Sequence, residues 1–124
     1  MLKAIVLVGI GGGMGSVLRY MTSSFMTKYF PSSFPWGTLS VNVLGCLLMG
    51  VLLSLGERQS WMNNDLRLLW LTGFCGGYTT FSTFASENIQ LWQSGQILTV
   101  IAYTIASVLL GLVAVWLGLV MVKM

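Results

Sequence analysis

Charge is nearly absent from four long stretches of this 124-residue chain, and no other feature limits its fold so strongly. Between Lys3 and Lys28 the only charged residue is Arg19. None stands between Pro35 and Glu57, between Arg67 and Glu87, or between Glu87 and Lys123. A helix needs about 20 apolar residues to cross the hydrocarbon of a bilayer, so each window is a candidate span. Charged residues make up 7% of the chain and hydrophobic ones 56%, whereas soluble domains carry about 25% charged residues. The expected fold class is an all-α integral membrane protein with four transmembrane helices. Lys3 and the apolar residues after it resemble a secretory signal, but the apolar stretch runs past residue 20 without a small-residue cleavage site. A mature first helix is therefore expected.

Turn signals divide the chain into one four-helix domain with helices over about 2–27, 36–55, 66–93 and 97–122. Pro31 and Pro35 punctuate the first connection, "GERQSWMNNDLR" reads as a water-exposed loop, and Ser94-Gly95-Gln96 reads as a tight turn. Trp36, Trp61, Trp70, Trp92 and Trp116 fall mostly near these helix ends, where amphipathic rings sit at headgroup level. An even number of spans puts both termini and the second loop on one side. That side carries Lys3, Arg58, Arg67 and Lys123 against Lys28 on the other, a modest preference for cytoplasmic termini.

The same composition excludes much chemistry. There is no histidine and there are three acids, so acid–base and metal catalysis have almost nothing to use, and no nucleophile–base pair suggests an enzyme. Cys46 and Cys75 lie inside spans with neither a disulfide framework nor a metal-binding spacing; they read as buried thiols acting as small hydrophobes. No nucleic-acid partner is expected.

Lipid tails give helices no hydrophobic drive to associate, so small residues mark close contacts. "GIGGGMGS", residues 9–16, sets Gly9 and Gly13, Gly11 and Gly15, and Gly12 and Ser16 four apart, a packing face. A dinucleotide fingerprint fails there, because its last position is Met14 counted from Gly9 and Ser16 counted from Gly11. Helix two carries Thr38, Asn42, Gly45 and Met49 along one face; helix four carries Tyr103, Ser107, Gly111, Ala114 and Gly118. These polar, small stripes could face each other. Asn42 suits an interhelical hydrogen bond or the wall of an aqueous path. Arg19 either snorkels toward the interface or serves a vestibule that favours anions.

Residues 74–84, "FCGGYTTFSTF", interrupt the third span. Gly76 and Gly77, followed by Thr79 and Thr80, can release backbone carbonyls near residues 75–79. Non-helical backbone at membrane depth survives only when buried in protein or lining a cavity. Freed carbonyls are oxygen ligands for a hard cation, so the break suits a permeation element or an ion-bound structural pin. Beyond it, Phe81 and Phe84 share a helical face. Aromatic ring edges are positive and could line a path for a small anion, although two phenylalanines at this spacing are more often ordinary packing.

With these residues in view, the chain resembles the Fluc (CrcB) family of bacterial fluoride channels. The likeness rests on the glycine-rich first helix ending in "SVLRY", on "GTLSVNVLG", and on "GFCGGYTTFSTF". It implies an antiparallel, dual-topology homodimer in the bacterial inner membrane, with two fluoride pores along the subunit interface and passive export of cytoplasmic fluoride. It further implies that Phe81 and Phe84 contact fluoride through their ring edges, that Asn42 donates its amide to the ion, and that Ser82, Thr83, Tyr103 and Ser107 form a polar track with Thr38 nearby. Arg19 would stand at the aqueous vestibule. Carbonyls of Gly76 and Thr79 from both subunits would enclose a structural sodium ion. The mild charge bias does not itself suggest dual topology.

Two other readings remain open. A small four-helix dimeric exporter of cationic drugs matches in size but requires a membrane-embedded carboxylate. The only candidate, Glu87, reads as lying at a helix end, and Arg19 occupies the first helix. A non-transporting membrane subunit would explain the glycines but not the hydroxyl–phenylalanine run.

Overall fold

The computed structural model describes residues 1–58 and 62–123; Trp61, placed with the interfacial tryptophans above, lies outside them. Among the described residues no strand forms. The elements are α1 (Leu2–Tyr29), α2 (Trp36–Arg58), α3 (Asn64–Arg67), a π-helical segment (Leu68–Cys75), α4 (Gly76–Tyr78), α5 (Phe81–Gln93) and α6 (Ile97–Lys123). Among the described residues, only α1, α2 and α6 are unbroken helices long and apolar enough to cross a membrane. The fourth expected span is composite: α3, the π-helical segment and α4 run into one another, and α5 follows after two extended residues.

Helix ends follow local chemistry. Asn63 opens α3 by accepting a hydrogen bond from Leu66 N–H at 3.0 Å, which satisfies one of the orphan donors of a first turn. Lys28 and Arg58 stand in the last turns of α1 and α2, where a cation offsets the negative end of the helix dipole. Those two helices run slightly past their expected limits.

Cross-chain contacts give an up-down-up-down bundle. Lys3 Nζ meets Asp65 Oδ2 at 2.7 Å and Thr22 meets Tyr78 through their hydroxyls at 3.1 Å, so α1 runs parallel to the lower part of the third span. A side chain at Gly37 would press on Ser23, so α2 returns antiparallel to α1. At the far end of α2, Arg58 donates to the carbonyl of Val122, which makes α6 parallel to α2. The Lys3–Asp65 pair is exposed at both partners and contributes little stability; it records topology.

What holds these helices is backbone proximity. A Cβ at Gly15 would lie 2.8 Å from Tyr78 N, one at Gly77 2.9 Å from Gly12 Cα, and one at Gly118 2.7 Å from Val51 N. Real Cβ atoms do not approach main chain so closely, so α1 locks onto the third span, and α2 onto α6, only where side chains are absent. Gly9 and Gly13 behave differently. Nothing lies within 4 Å of a side chain placed at either, so that pair makes no contact within one chain.

Candidate functional site

The link between α4 and α5 is two residues long. Thr79 (φ −86°, ψ 157°) and Thr80 (φ −150°, ψ 120°) are both extended. It lies beside Gly45, whose Cβ would touch the Thr79 side chain, and just above the Gly15–Tyr78 contact at the middle of α1. The link therefore falls near the midpoint of the bundle.

Extended residues inside a helical bundle leave main-chain groups to be satisfied. Thr79 closes the turn beneath, its N–H and its hydroxyl both donating to the carbonyl of Cys75 at 3.0 and 2.9 Å. Asn42 closes the turn above. Its Oδ1 accepts from Thr80 N–H at 2.8 Å and its Nδ2 donates to Thr80 C=O at 3.1 Å. The amide orientation follows, because only the oxygen can receive the Thr80 N–H. A primary amide has two N–H donors, so one remains for another acceptor. Thr80 Oγ1 then caps α5 by accepting from Thr83 N–H at 3.2 Å, and gathers Ser82 and Thr83 hydroxyls at 3.3 and 3.1 Å. Among the described residues no main-chain N–H of residues 80–82 reaches back to the carbonyls of Gly76, Gly77 or Tyr78.

Above the link, α5 presents a line of aromatic and polar groups to α2 and α6. Phe81 is 78% exposed, its ring centroid 5.8 Å from that of Phe84. Phe84 packs on Tyr103 at 5.0 Å. One turn further, Glu87 receives two hydrogen bonds, from Thr38 Oγ1 at 2.9 Å and Tyr103 Oη at 2.8 Å. Tyr103 is wholly buried and Thr38 nearly so. The stripes foreseen on helices two and four share the walls of one cavity, but α6 packs on α2 through Gly111 at Cys46 and Gly118 at Leu47 and Val51, while Asn42 and Gly45 meet Thr80 and Thr79.

A cavity of about 320 Å³ opens beside the link. Its walls include Asn42 and Cys46 from α2, Thr80 from the link, Phe81 and Phe84 from α5, and Ser107 from α6. Ser107 Oγ is buried there without a hydrogen-bond partner, a costly state unless something occupies the space. Two further hollows, of about 100 and 470 Å³, share Glu87 in their walls with hydroxyls and amides, among them Thr27, Ser32, Ser94 and Gln96.

The structure thus brings together Asn42, Phe81, Phe84 and Ser107 at one cavity, with Thr38 and Tyr103 joined at Glu87 just above it. Ser82 and Thr83 are exposed beside the Thr80 cap. Arg19 lies on α1, half-buried, outside the cavity lining, and makes no hydrogen bond or ion pair among the described residues. Gly76 is exposed, with open space where a side chain would stand.

One expectation is corrected. Glu87 is not at a helix end but at the midpoint of α5. A charge in so apolar a chain reads as a boundary because charge marks water; here two hydroxyl donors satisfy the carboxylate inside the bundle. The signal was present in the sequence, since an acid one turn beyond Phe84 demands partners in so apolar a chain.

Fold and site together define a small multi-pass helical membrane protein whose polar groups converge on the two-residue link. A family model described as "CrcB-like protein, Camphor Resistance (CrcB)" matches residues 6–119, and the chain belongs to that family. It is 48% identical to a protein of Flavobacterium psychrophilum over 98% of both chains. To one of Azobacteroides pseudotrichonymphae it is 44% identical over 99% of this chain and 98% of the relative. To one of Phocaeicola vulgatus it is 47% identical over 95% and 97%. All three relatives carry the name "Fluoride-specific ion channel FluC".

Proposed function

We propose that this chain is a fluoride-selective channel that lets cytoplasmic fluoride leave a bacterium passively across the inner membrane. The observation that carries the reading is the cavity beside the link, where an unpartnered Ser107 hydroxyl, the remaining Asn42 N–H and two phenylalanine rings converge. Fluoride is strongly hydrated, so a conducting path must replace water with donors while holding the ion weakly enough to release it. Asn42 and Ser107 supply donors; the Phe81 and Phe84 ring edges supply positive potential without mobile charge. Ser82, Thr83, Thr38 and Tyr103 extend the polar track, and Arg19 raises anion concentration in a vestibule. Fluoride enters cells as neutral HF, dissociates, and is trapped as the anion, so export down its gradient requires no coupled proton and no covalent chemistry.

In a single copy the cavity has one open side and Phe81 projects from it. A second copy, antiparallel and with dual topology, closes it, giving two pores per homodimer. The third span is then a membrane helix broken at mid-bilayer, at residues 79 and 80, the upper edge of the expected 75–79. Carbonyls around the link fit a hard cation: those of Gly76, Gly77 and Tyr78 receive no N–H from residues 80–82, and open space at Gly76 lets a twin approach. Gly76 and Thr79 from both copies would hold sodium, whose charge would pin the two interrupted helices together.

The cation-exporter reading loses one of its two objections with Glu87 at mid-helix, but both carboxylate oxygens are engaged by donors and Arg19 still occupies the first helix. The deciding experiment is efflux from liposomes holding the purified protein, read with a fluoride electrode beside a chloride control and sodium present throughout. Rapid fluoride release without chloride release or a proton gradient is expected. No release from verified dimers would overturn the proposal.

A further inference from the structure

The wall of the cavity below Asn42 carries chemistry that anion passage does not use. Cys46 and Met49 both line the cavity from α2, and residues three apart on a helix are neighbours. Cys46 is a free, half-buried thiol with no hydrogen bond among the described residues. Its sulfur faces α6 at Gly111, where a Cβ would lie 3.6 Å from Sγ; the missing side chain keeps that side open. Ser107, one turn before Gly111, contributes the unpartnered hydroxyl oxygen to the same space. A thiol and a thioether side by side are poor ligands for hard cations and good ones for soft d10 ions.

We propose that Cys46 and Met49 form a binding site for a soft monovalent metal ion, silver or cuprous, whose occupancy obstructs the anion path. On binding, the Cys46 S–H bond breaks, its proton passes to water in the cavity, and a sulfur–metal bond forms. Met49 adds a lone pair from its neutral thioether. One positive charge enters as one leaves, so the site stays neutral, which suits a low-dielectric wall where net charge is costly. The obstruction rests on the channel reading; the binding does not.

The test uses silver in chloride-free buffer on the purified full chain. Native mass spectrometry is expected to show one silver ion per chain in the wild type and in Cys75→Ser, whose residue is buried and does not line the cavity. Cys46→Ser, with Cys46→Ala as a second variant if serine disturbs the fold, should bind none. Met49→Leu should weaken binding at least tenfold. In liposomes, silver should slow fluoride efflux at least tenfold relative to each variant's own silver-free rate in the wild type but not in Cys46→Ala, with dithiothreitol restoring flow. Silver binding that survives loss of Cys46, or that ignores Met49→Leu, overturns the site. Binding without slowed efflux overturns the obstruction. Silver bound at Cys46 in a protein that never conducts fluoride leaves the site standing and removes the channel.

Discussion

Asn42 is assigned two tasks, closing the main chain at the link and offering a donor to a passing anion, and substitution separates them. Asn42→Ala removes both bonds to Thr80, the 2.8 Å bond accepted from its N–H and the 3.1 Å bond donated to its C=O. Hydrogen bonds between membrane helices average about 0.6 kcal/mol, whereas a buried group left unsatisfied costs about 1–3 kcal/mol. Two such groups at a part-buried link give an expected loss of about 2 kcal/mol, a factor of about 30 in the folded-to-unfolded ratio. Asn42→Asp keeps the acceptor for Thr80 N–H but, when ionised, has no donor, and it adds a negative charge to the cavity wall. At about 4 Å and an effective dielectric constant of about 20 that charge repels fluoride by about 4 kcal/mol, about a thousandfold in rate. Unfolding in sodium dodecyl sulfate, followed by tryptophan fluorescence, reads the first effect; electrode-monitored efflux reads the second. The reasoning is refuted if Asn42→Ala unfolds within about 0.3 kcal/mol of the wild type, or if Asn42→Asp conducts at the native rate at neutral pH.

Three further outcomes are expected. Gly77→Ala drives a methyl into the main chain of Gly12, where neither side can yield, and should cost about 1–3 kcal/mol; Gly9→Ala meets open space and should be neutral or gain up to about 1 kcal/mol from helix propensity. The same unfolding assay compares them, and equal effects would contradict the packing described. Phe81→Ile alters a side chain with almost no packing inside one chain, so monomer stability should change by less than about 0.5 kcal/mol while fluoride efflux is lost; preserved efflux would remove Phe81 from the path. Glu87→Gln presents one acceptor and one NH2 group where Thr38 and Tyr103 both donate. One donor is left opposed, and a loss of about 1–3 kcal/mol follows; a fully stable variant would show that the carboxylate bonds do not support the fold.

The bundle was legible in the sequence because hydrocarbon leaves few alternatives: charge-free windows became helices, and the hydroxyl run beside Gly76 and Gly77 became the link. The polar, small stripes on α2 and α6 were legible for the same reason, since such residues at helical spacing have to be covered by protein, and both line the cavity. The division of the third span was harder. Its π-helical stretch lies where Gly11 and Gly73 let two main chains meet, and such a contact is a tertiary fact with no local signature. Asn42 stands out in the sequence, but its dual bond to Thr80 does not, because no local pattern matches a side chain to a main-chain group 38 residues away. Glu87 was misplaced through treating every charge as a water marker.

The third span is fastened in two unlike ways. Below the link, α4 and the π-helical segment lie against α1 main chain to main chain, at Gly12, Gly15 and Gly77. Above it, α5 meets its neighbours largely through side chains: Asn42 reaching Thr80, Thr38 and Tyr103 reaching Glu87, Phe84 resting on Tyr103. Main-chain contact admits one geometry, whereas side chains choose among rotamers. The lower half is thus a fixed mount and the upper half an adjustable arm. Mutational drift can re-tune what the cavity accepts through α5; in α4 it can only decide whether the bundle assembles.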